Sequence, residues 1–385
     1  MNLKMFDFFS FFRASNSENQ NANKSDQKPK KITPPSLARV QITDPIPHAK
    51  KSNKKSREKV QSQFSTVLCN TGIVDLSKLR EITWVGIPDQ YRSRSWRLLL
   101  DYEPTNSDQA QNMLNHKRLD YLDCRNRLLN QENLWTNAEH STFRQISLDI
   151  PRTPVVLLRN ERVSTLFKNV LFVWAVRHPA SGYVQGMNDV LLPFFICFIF
   201  PHFHELSFAD LYSKTNVDEI DDKSLDEIEA DCFWCFSKLM DGIQDVYTKG
   251  QPGMYKMINN LEKVLQVASP EIYEWIEKEE ISYINFTVRW FNCLIVREFN
   301  FKQLFRIWDM FVCDPAKISS KIVYVCASMV NVMAKNLINL PRHEFISKIQ
   351  STKPEFWTDD KIEMILAQSF VLEKNIVIDD LTLRV

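Results

Sequence analysis

The chain predicts an all-α body. Three observations carry that expectation: apolar residues recur at helical spacing in segment after segment from Asp75 onward, no stretch alternates apolar and polar residues over strand length, and the most apolar run contains a proline. With 385 residues, 44% hydrophobic and 12% aromatic, the chain can bury one large or two moderate cores.

The first segment, residues 1–14, places Met5, Phe6, Phe8, Phe9, Phe11 and Phe12 between Lys4 and Arg13. The run is too short to span a bilayer and no small-residue cleavage site follows it. It reads as a fraying terminus, or as a segment that docks on a partner or lies shallowly in an interface, because exposed Phe clusters usually meet something. Residues 15–76 then read as a disordered basic linker rich in Ser, Asn, Gln, Lys and Pro, too polar to offset the entropy of ordering. Residues 1–60 hold thirteen Lys and Arg against five Asp and Glu, while the rest of the chain holds 35 against 42. A basic tail precedes a mildly acidic body. Its charges read as solvated, with contact to an adaptor or to an anionic membrane surface as the alternative, and phosphorylation of Ser52 or Ser56 would weaken the latter.

The body, residues 77–385, follows as helices. Val163, Leu166, Phe167, Val170, Leu171 and Trp174 fall at i, i+3, i+4, i+7, i+8 and i+11, one stripe of a helix that ends at His178-Pro179, since a residue before Pro avoids the helical region. Residues 190–200 include Pro193 and read as a core helix rather than a membrane span. Similar stripes run through residues 96–100, 119–129, 258–265, 290–299, 301–311, 322–337 and 362–372. Between Phe203 and Ile228 the stripe lapses and Asp218, Glu219, Asp221, Asp222, Asp226 and Glu227 gather, which predicts an acidic loop.

The composition also excludes. Only seven residues are Gly, and their positions supply neither the Walker A spacing nor the dinucleotide fingerprint, so the chain is expected to bind no nucleotide by itself. No G-x-S-x-G elbow occurs, and Ser347 stands where a zincin helix beginning at His343-Glu344 needs its second His. The eight Cys lack a disulfide-like framework, which suits a reducing cytoplasm. Cys232 and Cys235 form a C-x-x-C, but with Phe233, Phe236, Leu239, Met240 and Ile243 they make an apolar helical stripe, so core packing outweighs a metal site.

Two loops stand out against this background. Pro151 forces a turn ahead of the Val163 helix and leaves Arg152 projecting from it. Gly182 and Gly186 bracket Tyr183 and Gln185 just past Pro179, and Asn188 or Asp189 is placed to cap the next helix. Arg supplies a planar, permanently charged fork for phosphate oxygens, and Gln can donate and accept at once, orienting a water without ionising.

These residues resemble the hallmark motifs of the TBC domain of Rab GTPase-activating proteins: I-x-x-D-x-x-R is met by Ile146, Asp149 and Arg152, Y-x-Q by Tyr183 and Gln185, and R-x-x-x-W by Arg92 and Trp96. Arg289-Trp290, Arg297-Glu298-Phe299 and Trp308-Asp309 look like the family's C-terminal half, and residues around 149–153 and 172–183 resemble its Golgi-linked, Gyp-one-like subgroup. The resemblance implies one multi-helix domain of two helical halves. It implies that Arg152 is an arginine finger and Gln185 a glutamine finger, offered in trans to a Rab-family small GTPase in its GTP form. Asp149 would hold the Arg152 loop, Tyr183 would fix the Gln185 loop, Gly182 and Gly186 would let backbones approach, and Arg92 and Trp96 would brace the domain. No cofactor of its own is implied, since GTP and Mg²⁺ are held by the partner. No nucleic-acid partner is implied, and the expected location is cytoplasmic, peripheral at Golgi or other endomembranes.

Overall fold

The stripes become helices in the computed structural model, which describes residues 54–69, 72–153, 155–203, 206 and 216–378. Expectations for residues 1–53, including the Phe-rich segment and most of the basic tail, lie outside the described residues. The first half contains α1 (Lys54–Cys69), α2 (Leu76–Thr83), α3 (Asp89–Leu99), α4 (Ser107–Leu129), α5 (Asn137–Asp149), α6 (Glu161–Arg177), α7 (Met187–Ile199) and α8 (Asp222–Asp241). After the short α9 (Gln244–Tyr247) come α10 (Pro252–Ala268), α11 (Pro270–Lys278), α12 (Ile284–Asn292), α13 (Phe301–Cys313), α14 (Ile318–Ala334), α15 (Arg342–Gln350) and α16 (Asp359–Asn375). Among the described residues the β-structure is confined to isolated bridge positions, Ile73 paired with Asn106, and Ile376.

Each half wraps its most apolar helix. All of α7 is buried, Pro193 included, and it packs on α8, which also meets α4 and α6. In the second half α14 is covered by α10 and α16. Helix α13 joins the two, touching α2 and α3 on one side and α14 and α16 on the other. The junction is aromatic: Trp96 of α3 stacks on Trp308 of α13 at 6.1 Å, and Phe194 of α7 meets both rings edge-on. Such pairs contribute beyond the area they bury.

Four expectations change. The linker is not disordered throughout: within the 15–76 stretch, α1 turns Val60, Phe64, Val67 and Leu68 onto one face, where Phe64 and Leu68 are buried. Phe64 stacks on Tyr91 and the Leu68 carbonyl accepts from Arg94, so docking on α2 and α3 stabilises a helix that its polar composition alone does not predict. The acidic loop is shorter than expected, because Asp221 caps α8 and Asp226 and Glu227 lie within it, paired with Arg125 and Arg118.

Helix α4 buries a different face from the one its Leu residues suggest. Leu119 is exposed, while Ala110, Leu114 and Tyr121 face inward. Polar contacts decide this orientation: Tyr121 donates to Glu229 at 2.7 Å, and Arg118 forks onto Asp231 at 2.8 and 2.9 Å. The stripe over 290–299 is not one helix either. Helix α12 ends at Asn292, and Leu294 and Ile295 enter the left-handed region at φ 44° and 58°. That conformation is costly for branched side chains. Both side chains are fully buried, and the Trp308 indole donates to the Leu294 carbonyl, so packing enforces the turn.

Candidate functional site

Helix α5 starts with a capping box, Thr136 and Glu139, and runs down to Asp149. Pro151 then tightens the chain into a 3₁₀ turn, Ile150–Arg152, pinned beneath by buried Ile146 and Ile150. The Arg152 side chain remains 56% exposed, with its Nη1 donating to Asp149 Oδ1 at 3.3 Å. Asp149 is itself buried, and its Oδ2 accepts from Gln145 at 3.0 Å and from the Tyr183 hydroxyl at 3.2 Å.

The second loop leaves α6 at His178, whose ring stacks on Trp174. Gly182 turns the chain at φ 60° and donates to the His178 carbonyl. Gln185 is exposed. Gly186, at φ 111°, lies against Asn292, where a Cβ would come within 2.9 Å of the carbonyl oxygen, so the position requires glycine. Its N–H donates to Asn188 Oδ1 at 3.1 Å, and the Asn188 amide donates to Thr153 Oγ1 at 2.7 Å.

The two loops are therefore tied twice. Asp149 and Thr153 flank Arg152, Tyr183 and Asn188 flank Gln185, and Asp149 pairs with Tyr183 as Thr153 pairs with Asn188. Burial, together with the Asp149 and Asp189 charges, pushes the Tyr183 phenol far above its usual range, so it stays a donor at neutral pH. Tyr183→Phe is expected to cost about 1–2 kcal/mol of stability, checked by denaturant midpoint, with looser protection of amides in both loops by hydrogen exchange.

The expected helix cap is not formed. Gly186 occupies the N-cap of α7 without a side-chain bond, Asn188 turns back to the Gly186 N–H, and Asp189 is held by Arg297 at 2.9 and 2.8 Å. A charged fork outcompetes a cap because it satisfies both oxygens of a buried carboxylate. Arg92 and Trp96 sit elsewhere, on buried Asp309, which accepts from Arg92 Nε at 3.1 Å, from the Trp96 indole at 2.9 Å and from the Ile87 N–H at 2.9 Å. Burial works against the Arg92 charge, but the Asp309 and Asp89 carboxylates outweigh it and hold the guanidinium ionised. Thr153, Asn188 and Arg297 carry no local sequence signal as site residues, because each acts through a partner distant in the chain.

Beside Arg152 a surface cleft is lined by Pro151, Val155, Val156, Arg159 and Glu161. Among the described residues no group of three or more His, Cys, Asp or Glu is arranged to hold a metal ion. Cys232 and Cys235 are fully buried in the face of α8, and burial raises both thiols well above their ordinary range. Arg152 and Gln185 bring a guanidinium and a carboxamide to the surface on neighbouring loops, groups able to meet negative charge and to hydrogen-bond a water.

A family model described as the Rab-GTPase-TBC domain matches residues 89–338. The chain is similar to human TBC1 domain family member 22B, 35% identical over 322 residues that cover 82% of this chain and 62% of that one. It is also similar to the GTPase-activating protein gyp1 of Schizosaccharomyces pombe, 33% identical over 313 residues, 80% of this chain and 60% of that one. The aligned region thus spans about three-fifths of the length of these relatives. Among solved structures, the crystal structure of the Ypt/Rab-GAP domain of Gyp1p superposes with a TM-score of 0.76 at 33% identity, covering 82% of this chain and 97% of that chain.

Proposed function

Because the chain belongs to the Rab-GTPase-TBC domain family, we propose that it activates GTP hydrolysis by a Rab-family small GTPase, acting in trans on the GTP-bound form. The observation that carries the reading is the double tie between the loops, Asp149 to Tyr183 and Thr153 to Asn188, which braces an exposed Arg152 and an exposed Gln185 together. Arg152 enters the partner's phosphate site and neutralises charge spreading onto the phosphate oxygens. Gln185 orients the attacking water through its carboxamide. GTP and Mg²⁺ belong to the partner, and this chain supplies positioned side chains without turning over nucleotide alone. It is accordingly a regulator of an enzyme. No described helix is long and apolar enough to cross a membrane. The location that goes with this reading is cytoplasmic, peripheral at Golgi or other endomembranes.

Phosphate release from a panel of GTP-loaded Rabs tests this. At least one member is expected to hydrolyse GTP faster with catalytic amounts of the protein. Binding without acceleration across the panel would instead make the protein a Rab-binding scaffold.

A further inference from the structure

The Gln185 loop has a back wall contributed by the other half of the chain. Gly186 rests on the Asn292 carbonyl, which also accepts from the Tyr247 hydroxyl at 2.8 Å. One residue on, Cys293 Sγ lies 3.4 Å from Asp189 Oδ2. Arg297 then closes the arrangement with a two-point grip on the same carboxylate, Nε to Oδ1 at 2.9 Å and Nη2 to Oδ2 at 2.8 Å. Asp189 is 1% exposed and lies in the first turn of α7, three residues after Gly186. Between Cys293 and Arg297 the backbone passes through the left-handed pair Leu294 and Ile295, which burial and the Trp308 bond keep in that shape.

A carboxylate this buried requires its partner, and a planar fork fixes orientation as well as distance. A left-handed turn locked by packing makes a rigid platform for such a fork. The first turn of α7, and with it the loop that carries Gln185, is thereby referenced to α12 and α13 rather than to its own flanks alone. Resting on the activator reading above, we infer that Arg297 is a positioning residue for Gln185, acting through Asp189 from the opposite half of the domain.

The test is a double-mutant cycle on the full chain, read by stimulated GTP hydrolysis on a responsive Rab. Arg297→Lys keeps the charge and loses the two-point grip, and is expected to lower kcat about 10–10²-fold, the scale set by ångström-level misplacement, with KM unchanged. In a Gln185→Ala background the same change is expected to cause no further loss. Equal loss in both backgrounds, a loss confined to KM, or no loss overturns the inference. Should Arg297→Lys fold poorly, Asp189→Asn with Arg297→Gln removes both charges and leaves no buried ion unpaired; wild-type stimulation by that variant also overturns it. Hydrogen exchange gives a readout independent of activity. Amides of residues 182–190 are expected to exchange faster in Arg297→Lys, and unchanged exchange refutes the positioning role. Faster exchange in a protein whose wild type stimulates no Rab would locate the failure in the activator reading, leaving the positioning role intact.

Discussion

Arg152→Lys is expected to remove most of the stimulated hydrolysis, and Arg152→Ala to remove at least as much. An arginine finger supplied in trans contributes about 10³–10⁵ in rate, equivalent to about 4–7 kcal/mol of barrier, in the phosphoryl-transfer systems where it is best characterised. Lysine keeps the positive charge, so the comparison isolates the fork. A single ammonium cannot present two parallel donors to two phosphate oxygens, and its strong hydration resists transfer into a closed site. The structure predicts little collateral damage. Arg152 is more than half exposed, and the buried members of its turn, Ile146, Ile150 and Asp149, keep their places and their other contacts. Single-turnover phosphate release with the responsive Rab, beside an unchanged melting temperature, checks the prediction. Wild-type rates from either variant would remove Arg152 from the mechanism.

Asp309→Ala is expected to destabilise the fold by about 3–5 kcal/mol, because it removes the buried counter-charge of a buried guanidinium and leaves Arg92 with the half-exposed Asp89 as its carboxylate partner. Asp309 has no exposure to solvent and gathers Arg92, the Trp96 indole and the Ile87 N–H at the junction between α3 and α13. Removing it orphans three donors at once, in the place where the aromatic cluster of Trp96, Phe194 and Trp308 joins the two halves. Asp309→Asn should lose less, since an amide oxygen still accepts from one or two of these donors. Arg92→Met combined with Asp309→Leu should recover part of the loss by removing both charges together. Urea midpoints of the four proteins measure the series, and an Asp309→Ala midpoint near wild type would show that the cluster holds without its carboxylate.

Where burial and periodicity act along the chain, the sequence was readable. Helices α6, α7, α13, α14 and α16 follow their apolar stripes, and His178-Pro179 ends α6 where the stripe stops. Arg152 and Gln185 were visible for the opposite reason: each is a polar residue on a backbone bent by Pro or Gly within a sequence otherwise short of such bends. What is not legible locally depends on partners far away in the chain. Val60, Phe64, Val67 and Leu68 are apolar at helical spacing, yet Gln, Ser and Thr between them make the segment look like linker until α2 and α3 supply a surface. Asn188 and Asp189 each have the chemistry of a helix cap, and only Thr153 and Arg297, 35 and 108 positions away, decide otherwise. The break after Asn292 likewise has no local signal, because Leu294 and Ile295 are poor candidates for left-handed backbone on their own.

The seat of Phe64 also bears on how the protein is best cut. A fragment trimmed to the family match at Asp89 would strip α1 and α2 away and leave a greasy scar along α3, where Tyr91 loses its stacking ring. Such scars invite self-association. The smallest unit that keeps its own surface sealed therefore retains the inward face of α1 from Val60 on, on the tail side of the border that composition alone would draw.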